Sequence, residues 1–127
     1  MIVVDASAAL SALLRRGAAR EELARQQMHV PHLVDSEIAS GLRRRVAAGQ
    51  VGADQARDML RVWQHLRMTR YPVFALLARV WELRENVSAD DASYIALAES
   101  LGCSLLTADA RLAGAPGTLC TISVVPH

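Results

Sequence analysis

Residues 2–7 read Ile-Val-Val-Asp-Ala-Ser, three β-branched residues in a row that stop at an acid. A run this short and continuously apolar predicts a strand buried on both faces, the kind found inside parallel sheets. The next stretch, Ala6 to Leu14, is rich in Ala and Leu and predicts a helix. A strand running directly into a helix starts a βα unit, and outward from it the same alternation continues. Gly17 breaks the first helix, and Ala18 to Gln27 predicts a second. Met28 to Val30 reads as a strand stopped by Pro31. A long helix is expected from Leu33 to Ala48, where Val34, Ile38, Leu42 and Val46 make one apolar stripe. Another covers Ala53 to Leu66. Met68 to Tyr71 reads as a strand closed by Pro72. Val73 to Arg84 is expected as one helix with Leu76, Leu77, Val80 and Leu83 on one side. Ser88 opens the next, ending near Leu101-Gly102. Ser104 to Thr107 and Thr121 to Val125 are the last strands, with a helical turn over Asp109 to Ala113 between them. The expected fold class is α/β: a parallel, roughly five-stranded sheet with helices on both faces.

Length and composition bound the rest. The 127 residues suit one domain, 1–127, with no repeat or linker. A 52% hydrophobic composition excludes intrinsic disorder. Two cysteines, Cys103 and Cys120, are too few for a disulfide scaffold and fit a reducing compartment. No apolar stretch is long enough to span a membrane. Residues 6–14 superficially resemble a leader core, but no basic residue precedes them and Arg15-Arg16 follow, so they read as mature protein of cytoplasmic location. The 14 basic residues are all arginine, and formal net charge is only +1. A lysine-dependent mechanism is therefore excluded, and any nucleic-acid contact has to rest on local arginine clusters.

In doubly wound folds, chemistry collects beyond the carboxyl ends of the strands. There the sequence offers Asp5 after the first strand, Glu37 early in the helix after the second, and Asp90 and Asp91 opening the helix before the fourth. Thr107 and Asp109 follow at the end of the fourth, and Ser7 lies two residues past Asp5. Each has a bland reading. Asp5 suits an N-cap, Ser88 and Asp91 suit a capping box, Asp109 could cap a short helix, and Glu37 could face solvent. Together they are harder to dismiss, because four acids would have to fall independently at one end of one sheet. Carboxylates clustered away from water repel, and a divalent cation removes the conflict. Oxygen ligands without His or Cys suit Mg²⁺ or Mn²⁺, and such a site suits phosphodiester hydrolysis.

At these residues the chain resembles the PIN-domain ribonucleases, specifically the VapC-type toxins of bacterial toxin–antitoxin pairs. The segments that carry the resemblance are Ile2-Val-Val-Asp5-Ala-Ser7-Ala and Pro31-His-Leu-Val-Asp-Ser-Glu37-Ile, then Ser88-Ala-Asp-Asp91-Ala-Ser-Tyr-Ile-Ala-Leu-Ala98 and Leu105-Leu-Thr107-Ala-Asp109-Ala-Arg-Leu112. The resemblance implies an α/β/α sandwich and a catalytic set of Asp5, Glu37, Asp91 and Asp109. Asp5, Asp91 and Asp109 would be the metal ligands, and Ser7 and Thr107 supporting hydroxyls. It also implies Mg²⁺ or Mn²⁺, an RNA substrate (transfer or ribosomal RNA), a VapB-type antitoxin and a homodimer. Where the family often has Tyr-Asp-Ala, this chain has Asp90-Asp91-Ala92, which leaves Asp90 either as added charge or as a solvent-facing residue.

Arg111, Arg43 and Arg44 are the candidates for contacting RNA phosphates, each with a structural alternative: an ion pair for Arg111, a solvated helix face for the others. His29, His32, His65 and His127 show no metal-ligand spacing. Trp63 and Trp81 are expected to pack on the core or on a dimer mate. A mean hydropathy of +0.17 suggests an apolar patch that a partner covers. Phosphoacceptor receivers, haloacid-dehalogenase-type phosphatases and P-loop enzymes need a lysine this chain lacks. The surviving alternative is a non-catalytic PIN-like module that binds RNA or protein.

Overall fold

The Ile2–Val4 run becomes β1, buried throughout. It lies at the centre of the sheet, parallel to β2 (Met28–Pro31) on one side and β4 (Ser104–Thr107) on the other. β3 (Met68–Tyr71) and β5 (Ile122–Val124) form the edges, so the strand order is β3-β2-β1-β4-β5, parallel throughout. These features come from a computed structural model that describes residues 1–126; His127, noted among the histidines, lies outside them.

The helices are α1 (Ala6–Leu14), α2 (Ala18–Arg25), α3 (Leu33–Ala47), α4 (Ala53–His65), α5 (Leu77–Glu82), α6 (Ala89–Leu101) and α7 (Ala110–Ala113). Crossovers between parallel strands are right-handed, so the β1-to-β3 half of the chain puts its helices on one face and the return to β4 puts α5 and α6 on the other. The packing agrees: α1 touches α2, α3 and α4, while α6 pairs with α5 and lies across β1, β2 and β4. Val34, Ile38 and Leu42 of α3 are buried as their spacing predicted. In α6, the run from Ala92 to Ala98 is buried without a break, as a helix between sheet and neighbours must be.

Two expectations need correction. Pro31 does not stop β2 but is its last residue, opposite Tyr71. A terminal proline costs the ladder little, and the next residue, His32, donates its N–H to Tyr71 O at 2.9 Å. The helix expected over Val73 to Arg84 is a 3₁₀ turn, Val73–Leu76, followed by α5. A tighter turn advances each side chain by about 120° instead of 100°, which breaks the assumed stripe. Val80 and Leu83 are buried, but Leu77 is exposed beside Phe74 and Trp81.

Candidate active site

Strand order reverses around β1, so a crevice opens between the carboxyl ends of β1 and β4. Asp5 leaves β1 there and caps α1, its Oδ1 accepting the Ala8 N–H at 2.9 Å. The capping and site readings are thus met by one carboxylate. Ser7 Oγ donates to Asp5 Oδ1 at 2.7 Å, and Thr107 Oγ1 donates to Asp5 Oδ2 at 2.5 Å. Both hydroxyls also accept from the turn after β4: Ala108 N–H reaches Ser7 Oγ at 2.9 Å, and Asp109 N–H reaches Thr107 Oγ1 at 3.0 Å. A hydroxyl has one proton, and each gives it to Asp5. Burial still pushes the Asp5 carboxyl above its usual range; the Thr107, Ala8 and Ser7 bonds oppose the rise, and Asp109 adds to it.

The other acids share this field. Asp91 sits in the first turn of α6, whose N-cap Ser88 accepts the Asp91 N–H at 3.1 Å. Burial raises its carboxyl, and Asp5, Asp109 and Asp90 add to the rise. Glu37 in α3 is raised by burial, then by Asp90, Asp91 and Asp5, against a hydrogen bond from Tyr94. That bond, from the Tyr94 hydroxyl to Glu37 Oε1, crosses from α6 to α3. Asp109 caps α7, and Arg111 holds it through its N–H and Nε on Oδ1, at 3.0 and 3.1 Å, and Nη2 on Oδ2 at 2.9 Å. Asp90 is exposed and contributes charge to both Glu37 and Asp91.

The structure therefore brings Asp5, Asp91 and Asp109 into mutual electrostatic contact and couples Glu37 to Asp5 and Asp91. Among the described residues, however, no three His, Cys, Asp or Glu side chains stand close enough to hold one ion. Two of the acids already have partners, Asp109 in Arg111 and Glu37 in Tyr94. The donor chemistry nonetheless fits a hard divalent cation: oxygen atoms only, with carboxyls that burial and mutual repulsion hold above their usual range. A more apolar groove of about 570 Å³, between α1, α2 and α4, contains none of these acids.

The RNA-contact candidates separate. Arg111 lies at the site but is paired with Asp109. Arg43 and Arg44 are exposed on α3, and Arg43 shares a shallow cavity with Arg57 of α4. Two features escaped the sequence reading. Tyr94 lies three residues after Asp91, so it shares a side of α6 with it, a signal that was present in the spacing. Asp35, two residues before Glu37, accepts Arg70 Nε and Nη2 at 2.8 and 2.9 Å and Trp63 Nε1 at 2.7 Å. This clamp fixes α3 against α4 and β3, and nothing in the sequence announces it. Trp63 is a core residue with a satisfied N–H, while Trp81 is 67% exposed.

Several classes of enzyme gather carboxylates where the strand order of a parallel sheet reverses, and the family model separates them. The chain belongs to the PIN-domain family, whose family model matches residues 2–117. Its relatives place it among the VapC-type members. It is 58% identical over 127 residues, covering 100% of both chains, to Ribonuclease VapC9 of Mycobacterium tuberculosis (strain ATCC 25618 / H37Rv). Among solved structures it resembles PAE2754 from Pyrobaculum aerophilum, with TM-score 0.72 and 26% identity over 97% of this chain and 83% of that one. The fold also matches a Rickettsia felis VapBC2 structure bound to a DNA fragment from its promoter, with TM-score 0.71 and 12% identity over 98% of each chain.

Proposed function

We propose that this chain is a VapC-type endoribonuclease toxin that hydrolyses RNA phosphodiester bonds at the carboxylate cluster, with Mg²⁺ or Mn²⁺ as its ion. The observation that carries the reading is the buried Asp5 carboxylate, fixed by Ser7, Thr107 and Ala8 and electrostatically coupled to Glu37, Asp91 and Asp109. Asp5, Asp91 and Asp109 would hold the ion. When bound, such a cation supplies a Lewis acid for the phosphate and lowers the pKa of water. Glu37 would orient the attacking water, and no side chain need be the nucleophile. Ser7 and Thr107 fix the rotation of the Asp5 carboxylate, as supporting hydroxyls do in metal sites. Arg111 would pass from Asp109 to a phosphate of the substrate, and Arg43 and Arg44 are candidates for phosphates further along the strand.

The partners follow from the same reading. A VapB-type antitoxin would silence the site by presenting a cation, such as an arginine, to the acidic cluster. A second copy of this chain is the proposed cover for Phe74, in the 3₁₀ turn, and Leu77 and Trp81 of α5, which are 83%, 52% and 67% exposed. Light scattering should therefore give a dimer, and a monomer at high concentration would overturn that assignment. The cytoplasmic location is likewise proposed; among the described residues no helix is long and apolar enough to cross a membrane.

The test is cleavage of total cellular RNA by the purified chain with Mg²⁺ or Mn²⁺, and with EDTA. Discrete cuts that vanish in EDTA are expected. Cuts that persist in EDTA would overturn the metal-dependent reading. A folded, metal-stabilised protein that binds RNA and cuts none would favour the non-catalytic module.

A further inference from the structure

We infer that Tyr94 is the positioning residue that holds Glu37 in the active site, an inference that rests on the proposed reading of the acidic cluster. Tyr94 is 1% exposed and lies in the stretch of α6, Ala92 to Ala98, that is buried without a break. Its hydroxyl donates to Glu37 Oε1 on α3. The two helices belong to opposite layers, so the bond ties the layers together at the rim where the acids meet.

The bond opposes a specific force. Glu37 is a flexible side chain surrounded by like charge from Asp90, Asp91 and Asp5. Left to itself, such a carboxylate lowers its energy by turning outward to water. A donor mounted on an immobile ring prevents this, and it occupies one oxygen while leaving Oε2 for water. Burial and Glu37 together push the phenol far above its usual range, so it remains a protonated donor wherever the enzyme works. A buried tyrosine whose hydroxyl has merely found an acceptor would show the same contact, so the test has to separate the two roles.

The full chain is compared as wild type, Tyr94→Phe, Glu37→Ala and the double variant. RNA cleavage is followed at saturating Mn²⁺, and melting is followed in EDTA. Phe keeps the ring and removes the hydroxyl, which donates to Glu37 Oε1 and also accepts from the Ala6 backbone. Tyr94→Phe should lower kcat about 10-fold, the scale of one hydrogen bond to a charged group, with KM changed less than about twofold. In the Glu37→Ala background the same change should have less than about a twofold effect, because its target is gone. Melting should show the coupling without turnover: the Ala6 contact is lost in both backgrounds, so Tyr94→Phe lowers Tm in both, and by more where Glu37 is present. An unchanged kcat for Tyr94→Phe, or equal effects in both backgrounds, would overturn the inference. If Glu37→Ala itself cleaves at the wild-type rate, the positioning role falls. A lost activity in Asp91→Asn would in that case still uphold the acidic site.

Discussion

Asp91→Asn is expected to abolish RNA cleavage while leaving the metal-free protein as stable as the wild type or more so. The two effects have one cause. The Asp91 carboxyl is held above its ordinary range by burial and by Asp5, Asp109 and Asp90. The folded chain therefore favours its protonated form. The stability this gives is full at acid pH, falls as pH rises past the ordinary carboxylate value, and is gone above the raised value. At neutral pH the ionised carboxylate is a net cost to the metal-free fold, and asparagine removes the charge without changing the shape. The helix cap survives, because Ser88 accepts the Asp91 backbone N–H, and the asparagine oxygen can still accept the side-chain bond from Ser88 that opposes the rise. Tm in EDTA should rise by a few degrees at neutral pH, and the gain should disappear toward pH 4 as the wild-type carboxyl protonates. Activity should fall by at least about 10²-fold, the scale of losing one group that stabilises charge in a transition state. The stabilisation that millimolar Mn²⁺ gives the wild type should shrink in the variant, since a ligand that binds only the folded state raises Tm according to its affinity. An active Asp91→Asn would shift the ligand role to Asp90. A variant that melts lower in EDTA would mean that the acids stabilise the free fold.

This opposition between function and stability also explains what could be read in the sequence. β1 was legible because Ile2-Val3-Val4 has no polar residue and therefore no exposed face. α3 was legible because Val34, Ile38 and Leu42 repeat at the helical period. The acids were candidates because a parallel fold sends every strand's carboxyl end to one rim, which Asp5 and Asp109 follow closely and near which α3 and α6 begin, with Glu37 and Asp91 in or just past their first turns. What the sequence did not disclose depends on side chains meeting across layers. Arg111 could have faced a phosphate or an acid, and only the turn of α7 puts it on Asp109. Tyr94 and Glu37 are 57 residues apart, and their contact exists only because α6 and α3 meet at the rim. The exposure of Leu77 was missed because periodicity assumes one helical pitch, and Val73–Leu76 adopts another.

Thr107→Val should damage both the fold and the site, and Thr107→Ser should restore most of what is lost. Thr107 is completely buried, and its one hydroxyl serves two strands. It donates to Asp5 Oδ2 across the β1–β4 pair and accepts the Asp109 N–H of its own turn. Valine has nearly the same volume, so packing is retained while both bonds are lost. Asp5 Oδ2 then keeps its burial without its closest donor, and the Asp109 N–H loses its acceptor. Removing a hydrogen bond to a charged group and leaving partners unsatisfied costs about 2–4 kcal/mol, which for a domain of this size lowers Tm by roughly 10 °C. The lost donor should also raise the Asp5 carboxyl further, since Thr107 is the largest influence opposing the rise. Ser7 cannot compensate, because its proton is already on Asp5 Oδ1 and its oxygen already accepts Ala108 N–H. Cleavage should therefore fall about 10–100-fold, the range for removing a group that orients a metal ligand. Raising Mn²⁺ should recover part of it, because the ligand is still present but poorly aimed. Serine keeps the hydroxyl and loses one methyl, so it should regain the activity while costing about 1 kcal/mol of packing. A Thr107→Val protein that melts and cuts like the wild type would show that Asp5 is held by Ser7 and Ala8 alone.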